Sequence, residues 1–343
     1  MSINRPIIFR VGHQRVRFYA NGRLAQLSQI VPGQRLILVT DQNVYRKHLA
    51  AFKSFDTIVL RAGEQYKIQA TADGLIEKLI RMEADRQTVL VGVGGGVVTD
   101  LVGYVASIFL RGISFGFVPT TLLAMVDASI GGKNGVDVGV YKNLVGTIRQ
   151  PLFLLHDHAF LSTLPDREWS NGFAEIIKHA CIGDEKMFSE LCRRDLNFYK
   201  QDASKRMALI ARNVRFKFRV ASADVLETGE RKKLNFGHTL GHALEMHYDL
   251  SHGEAISLGM MFAASLSEAM HKSEVVHQLQ STLLQYGLPA SAKFSAKKVL
   301  HSLRMDKKRV RSEISFILLR KIGQAMIQPI SLKKLEQYLH QYA

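Results

Sequence analysis

Residues 88–110 carry the feature that most narrows what this chain can fold into. The apolar run Thr88–Val93 passes through Gly92-Val-Gly94-Gly95-Gly96 into a helical pattern over Val97–Leu110. A buried strand that meets a glycine turn and then a helix is the first half of a crossover, which returns the chain to a parallel strand. The flanking sequence repeats this alternation. Arg35–Thr40, Thr57–Leu60 and Ile113–Val118 read as further short strands, and Ala70–Glu83 as a helix. The expectation for residues 1–150 is an α/β domain with a mostly parallel sheet and helices on both faces.

After Pro151 the pattern changes. Amphipathic stretches follow one another at Glu168–Ile182, Ala203–Asp224, Thr239–Tyr248, Glu254–Met270 and His277–Tyr286, with one return to strand at Glu313–Leu319. A mainly α-helical second domain is therefore expected over 151–343, in keeping with a chain longer than a usual single domain. With 47% apolar and 22% charged residues, the composition is that of an ordered globular protein. No apolar run is long enough to span a membrane. Met1–Arg10 has no leader-like pattern and Cys181 and Cys192 lack CxxC spacing, so a cytoplasmic protein with reduced thiols is expected. A formal net charge of +16 can accompany nucleic acid, acidic membrane surfaces or small phosphorylated ligands, and is read here as a background that attracts anions. Arg212–Arg219 interleaves basic residues with Val214, Phe216 and Phe218, but it lies inside a helical pattern. Its aromatics are expected in the core, and nucleic acid is not the expected partner.

Glycines at a strand-to-helix turn let a backbone approach a pyrophosphate, and the helix N-terminus directs free N–H groups at it. The run departs from GxGxxG, because Val97 stands where the last glycine belongs. Asp41 ends the Arg35–Thr40 strand, where a carboxylate can accept ribose hydroxyls, and Gly63-Glu64-Gln65-Tyr66-Lys67 follows another strand. These residues point to a nucleotide without identifying it. In the second half, Glu175 and Lys178 share one helix face, as do His238 and His242, and His252-Gly253-Glu254 opens a further helix. Two histidines and one carboxylate give a divalent ion three ligands and leave a position open, as in catalytic rather than structural zinc sites. Thr239 stands where a zincin needs its glutamate, which speaks against a metalloprotease.

Taken together, Gly94-Gly-Gly-Val-Val-Thr-Asp100, Arg111-Gly112, Val118-Pro-Thr-Thr-Leu-Leu-Ala-Met-Val-Asp127, Gly131-Gly-Lys133, Lys142-Asn143-Leu144, Ala174-Glu175-Ile-Ile-Lys178, Leu234-Asn-Phe-Gly-His238-Thr-Leu-Gly-His242 and His252-Gly-Glu254 resemble the 3-dehydroquinate synthase family, one of the sugar phosphate cyclases. The resemblance implies a Rossmann-like NAD-binding domain followed by a helical metal- and substrate-binding domain, usually in a homodimer. It implies a phosphorus–oxygen lyase of the shikimate route to aromatic amino acids. Such an enzyme converts 3-deoxy-D-arabino-heptulosonate 7-phosphate to 3-dehydroquinate and phosphate by transient oxidation, β-elimination, reduction and intramolecular aldol closure. By this resemblance Glu175, His238 and His252 hold Zn²⁺ or Co²⁺. Asp41, Glu64, Lys67, Gly95, Gly96, Val97, Val98, Asp100, Thr120, Thr121, Lys133, Lys142, Phe160 and Thr163 line the NAD site. Lys133, Asn143, Lys178, Lys217, Arg231, Asn235, His242 and Lys308 match substrate-contacting positions, with Asp127 among the catalytic set. Arg111 matches an arginine that reaches the phosphate of a neighbouring subunit.

Thr99, Asn134 and Val225 depart from the family pattern beside these positions. Relatives that cyclise neutral sugars tend, by the same resemblance, to lose the equivalents of Asn235 or His242, and both are present here. A cyclase for sedoheptulose 7-phosphate or for an amino analogue is an alternative. So is a metal-dependent polyol or glycerol phosphate dehydrogenase, which would accumulate NADH where the synthase restores its cofactor.

Overall fold

The structure is a computed structural model and describes residues 4–139, 141–304, 309–310 and 313–342. The chain divides into two compact units, Met1–Pro165 with Leu209–Leu226, and Asp166–Ala208 with Glu227–Ala343. The first unit thus runs past residue 150 and takes back most of the helix Ala203–Ala223. The reason lies in that helix's apolar face: Phe218 stacks on Phe9 with ring centroids 4.1 Å apart, and Ser222 donates to the Arg10 carbonyl at 2.6 Å. Periodicity marks which face of a helix is apolar, and says nothing of which sheet it will cover. Phe216 and Phe218 are both buried, as expected for core residues.

The first unit is built on β1 (Ile7–Val11), β2 (Gln14–Tyr19), β3 (Leu36–Asp41), β4 (Asp56–Leu60), β5 (Val89–Gly94), β6 (Ser114–Pro119) and β9 (Phe153–Leu155), in the order β1-β2-β9-β6-β5-β3-β4. Every neighbouring pair is parallel except β1–β2. All six residues of β5 are buried, which is why this strand reads as an unbroken apolar run rather than an alternation. From β3 the chain steps outward to β4, then crosses to the other side of β3 for β5 and continues to β6. The order therefore reverses between β3 and β5, and their carboxyl ends bound the crevice where open parallel sheets bind ligands. Thr40 and Val93 are in register there. The antiparallel pair β7 (Lys133–Val138) and β8 (Tyr141–Ile148) forms a separate small sheet that the strand patterns did not predict.

The second unit holds the helices Asp166–Gly183, His238–Glu245, His252–His271 and Val276–Gln285, each close to its expected position. The predicted strand near residue 313 is β11 (Glu313–Lys321), which lies between β10 (Arg309–Val310) and β12 (Gln324–Ser331). The fold class is as expected: a mostly parallel sheet unit, then a mainly helical region that bears the candidate metal ligands. Among the described residues no helix is long and apolar enough to cross a membrane.

His156, just after β9, is fully buried and packs edge-on against Phe18 with ring centroids 4.8 Å apart. Among the described residues neither of its ring nitrogens has a hydrogen-bond partner. Burial, and then the neighbouring His158, holds its pKa well below the ordinary histidine value. The unfolded chain consequently binds more protons than the folded one once the pH falls below about 6.5. Stability from the neutral ring is complete above that pH and is lost on acidification toward the folded pKa. Urea midpoints are expected to fall between pH 7 and pH 5, with this group adding up to about 1.4 kcal/mol per pH unit. His156→Leu should flatten that limb; an unchanged slope would contradict the assignment.

Candidate functional site

The second unit brings three predicted ligands together. Glu175 lies on the inner face of the helix Asp166–Gly183, whose apolar residues Trp169, Phe173, Ile176 and Ala180 recur at helical spacing and are buried. Its carboxylate is fully buried, with Oε1 3.5 Å from His238 Nε2 and 3.1 Å from His252 Nε2. These distances are set by close backbone packing. Gly237, at φ +80°, caps the helix His238–Glu245, and a Cβ on it would lie 2.6 Å from the Met260 side chain. A Cβ on Gly253 would lie 2.5 Å from Asn171 Cα, so all three ligand-bearing helices approach at glycine. The helix His252–His271 opens with a capping box in which Glu254 accepts from Ser251 N at 2.7 Å. Glu254 also pairs with Arg167 at 2.8 Å, so it organises the helix start rather than joining the ligands.

One carboxylate oxygen and two imidazole nitrogens lie within 4.8 Å of one another here. Donor atoms of a tetrahedral ion with bonds of about 2.0–2.1 Å sit roughly 3.3 Å apart. The observed separations fit such an ion, and the donor set suits Zn²⁺ or Co²⁺. Lys178, itself buried, pairs with Glu175 Oε2. Burial, and then the Lys178 cation, holds His238 well below the ordinary histidine pKa. For His252 burial works in the same direction, but bonds to Glu175 and Glu245 outweigh it and raise the pKa to about 10. The His242 ring lies 5.2 Å from that of His238, Arg231 is buried, and Asn235 donates to Glu227 at 2.5 Å.

In the first unit the helix Gly96–Ile108 begins at Gly95 with no side-chain cap, so its first N–H groups can face an anion. Gly95, Gly96 and Val97 are partly exposed at this turn, while Val98 is buried beneath it. Thr120, after β6, is buried, and its hydroxyl has no hydrogen-bond partner among the described residues. The same holds for Thr40, which no sequence motif indicated; its signal is its place in register beside the turn. Orphaned buried hydroxyls at strand ends suit a polar ligand. Thr121 accepts from Ala124 N at 3.1 Å. Lys67 is nearly fully buried between Asp100, at 2.6 Å, and Asn143, at 2.5 Å. Burial opposes its charge, but Asp100 and then Glu64 more than offset this and hold its pKa above the ordinary lysine value. Asn143 is positioned in turn by Asp137, a residue the motifs passed over, whose Oδ1 accepts from Asn143 N at 2.7 Å.

Lys217 donates to the Asp127 carboxylate at 2.6 Å and to its carbonyl at 2.7 Å. Asp41 accepts from Asn43 N and Val44 N at 2.8 and 3.1 Å, so it caps the short helix Gln42–Lys47. Phe160 packs edge-on against His48, which also bonds the Thr163 hydroxyl at 2.8 Å. Lys142 lies 4.0 Å from Glu64. Lys133 and Arg111 are exposed, Arg111 in the left-handed region at φ 64°. Lys308 lies outside the described residues.

A parallel-sheet unit with an uncapped glycine turn and a helical unit with three converging ligands define a nucleotide- and metal-dependent enzyme. Residues 57–171 match the family described as 3-dehydroquinate synthase N-terminal, and 172–309 the family described as 3-dehydroquinate synthase C-terminal. The chain belongs to the 3-dehydroquinate synthase family. It is 45% identical over 273 residues to the 3-dehydroquinate synthase of Methylacidiphilum infernorum, which covers 78% of this chain and 74% of the relative. A 2-deoxy-scyllo-inosose synthase complexed with carbaglucose-6-phosphate, NAD⁺ and Co²⁺ superposes with TM-score 0.86 at 25% identity, over 98% of this chain and 100% of that one. The 2-epi-5-epi-valiolone synthase of Streptomyces hygroscopicus subsp. jinggangensis, with NAD⁺ and Zn²⁺ bound, superposes with TM-score 0.85 at 26% identity, over 100% and 98%.

An ion held by His252 must displace the proton that the two carboxylates favour there. Because that pKa is about 10, metal affinity is expected to rise with pH through the neutral range, by about tenfold per pH unit for one proton released. Competition against a chromophoric chelator at three pH values checks this.

Proposed function

We propose that this chain acts as a 3-dehydroquinate synthase, converting 3-deoxy-D-arabino-heptulosonate 7-phosphate to 3-dehydroquinate and phosphate with NAD and Zn²⁺ or Co²⁺ as cofactors. The observation that carries the reading is the Glu175–His238–His252 set, with Lys178, Arg231, Asn235 and His242 in the same unit of a chain of this family. Glu175, His238 and His252 would hold the metal, which would supply Lewis-acid polarisation of a substrate alcohol, and NAD at the glycine turn would supply a hydride acceptor restored within each turnover.

The chain's own groups supply binding and proton handling. Lys178 and Arg231 are buried cations, which attract a carboxylate or phosphate more strongly than solvated ones. His242 can hold a proton at its ring nitrogens and pass it to a phosphate oxygen. In the first unit, the N–H groups at Gly95–Val98 suit a pyrophosphate, and Thr120 and Thr121 flank the turn. Lys67 and Asp100 position Asn143, while Asp127 holds the Lys217 ammonium in one place, so these polar groups need little reordering to meet a ligand. The retention of both Asn235 and His242 favours an acid substrate over a neutral sugar phosphate.

A homodimer is part of this reading, with Arg111 serving the second copy's phosphate. It is supported by β8, on which Tyr141, Leu144, Val145 and Ile148 are 40–56% exposed. Exposed large apolar side chains gathered on one short strand are ordinarily covered. Light scattering should give twice the chain mass.

Incubation with NAD⁺, Zn²⁺ and candidate sugar phosphates, read by inorganic phosphate and product mass, tests the activity. Phosphate release with no net NADH is expected for the heptulosonate. His252→Ala is expected to lower it by more than about 100-fold, since loss of outer partners alone costs roughly 10- to 100-fold in such sites. Stoichiometric NADH would instead mark a polyol phosphate dehydrogenase, and turnover only of neutral sugar phosphates another cyclase.

A further inference from the structure

Both histidines of the metal set turn Nε2 toward Glu175, which leaves each Nδ1 to be engaged on the far side of the ring. For His238 that partner is the main-chain carbonyl of Phe236, at 3.2 Å. For His252 it is a side chain: Glu245 Oε1 lies 3.4 Å from Nδ1, and the Glu245 side chain is only 2% exposed. Glu245 is the last residue of the helix His238–Glu245. It follows His238 by seven residues, about two turns, and so shares its face. One helix thus carries one ligand and the group that touches the other. A buried carboxylate is costly unless its charge is used, and nothing in the sequence motifs assigned this residue a role.

We infer that Glu245 is a positioning residue of the metal centre. It accepts the His252 Nδ1–H and thereby fixes the tautomer whose Nε2 lone pair is free for the ion. A neutral imidazole carries a single N–H, and without an acceptor at Nδ1 the ring divides its time between two tautomers, one of which has its proton on Nε2 and cannot bind the ion there. A carboxylate acceptor also makes the coordinating nitrogen more basic. The inference rests on the reading that Glu175, His238 and His252 hold the ion.

The test is metal binding itself. Metal-free wild type, Glu245→Ala, Glu245→Gln and His252→Ala are titrated with Zn²⁺ against a chromophoric chelator, and the visible spectrum is recorded with Co²⁺. Glu245→Ala is expected to weaken binding by about 10- to 100-fold. Glu245→Gln, whose amide oxygen still accepts, should lose less, at least about threefold. Its metal-free thermal midpoint should match wild type while the metal-induced rise in midpoint shrinks, which a purely structural role would not produce. The Co²⁺ bands should shift in both variants: in Glu245→Ala because the His252 ring is no longer held in one orientation, and in Glu245→Gln because a neutral acceptor leaves the coordinating nitrogen less basic. If Glu245→Ala does not fold, Glu245→Gln decides alone. Wild-type affinity and an unshifted Co²⁺ spectrum in Glu245→Gln would overturn the role of Glu245. Wild-type affinity in His252→Ala would overturn the ligand assignment, and this inference with it.

Discussion

The second unit is organised around one costly group, the fully buried carboxylate of Glu175. An ionised carboxylate away from water is tolerated only when cations or strong donors surround it. Lys178 comes from the same helix face, and two imidazoles come from two other helices. The helices can deliver those rings only because they touch backbone to backbone. A Cβ on Gly259 would overlap the Gly237 carbonyl oxygen, and Gly237 and Gly253 are equally enclosed. Glycine at these contacts removes the spacing that side chains normally impose between helices. The metal geometry is therefore a property of the helix packing, and the side chains are read out from it.

The first unit solves a different problem, presenting uncharged hydrogen-bond donors at the end of a sheet. Its order reverses between β3 and β5, which opens a crevice at their carboxyl ends without any loop having to be disordered. Gly95 begins the following helix without a side-chain cap, so the donors that a serine or aspartate would have satisfied stay available. Asp41, by contrast, spends one carboxylate oxygen on capping the next short helix.

Three buried lysines are held by acidic partners. Lys67, Lys178 and Lys217 each sit against a carboxylate, so they are held in place rather than free to follow solvent. Fixed cations and fixed dipoles do not have to reorganise when a charged ligand arrives, which is the larger part of what such sites contribute. The basic residues of Arg212–Arg219 accompany buried aromatics on a helix that packs on β1, which accounts for their interleaving.

Much of this was legible in residue order. The β-branched runs marked β3, β5 and β6 to within a residue, because parallel central strands are apolar on both faces. Helical spacing marked Glu175 with Lys178 and His238 with His242, and the motifs supplied the family. Other features depended on distance in space. The β7–β8 hairpin lacks clean alternation, so its strands were invisible, and the helix Ala203–Ala223 showed an apolar face but not its partner. Thr40, Asp137 and Glu245 belong to no motif, and each acquires its place from a partner that the local pattern does not mark: Val93 across the sheet, Asn143 across a hairpin turn, and His252 across a helix pair. Element types and the chemical inventory follow from local pattern, and so were present in residue order alone. Which groups meet, and in what orientation, was decided by tertiary packing, because burial and close backbone approach are properties of pairs of segments.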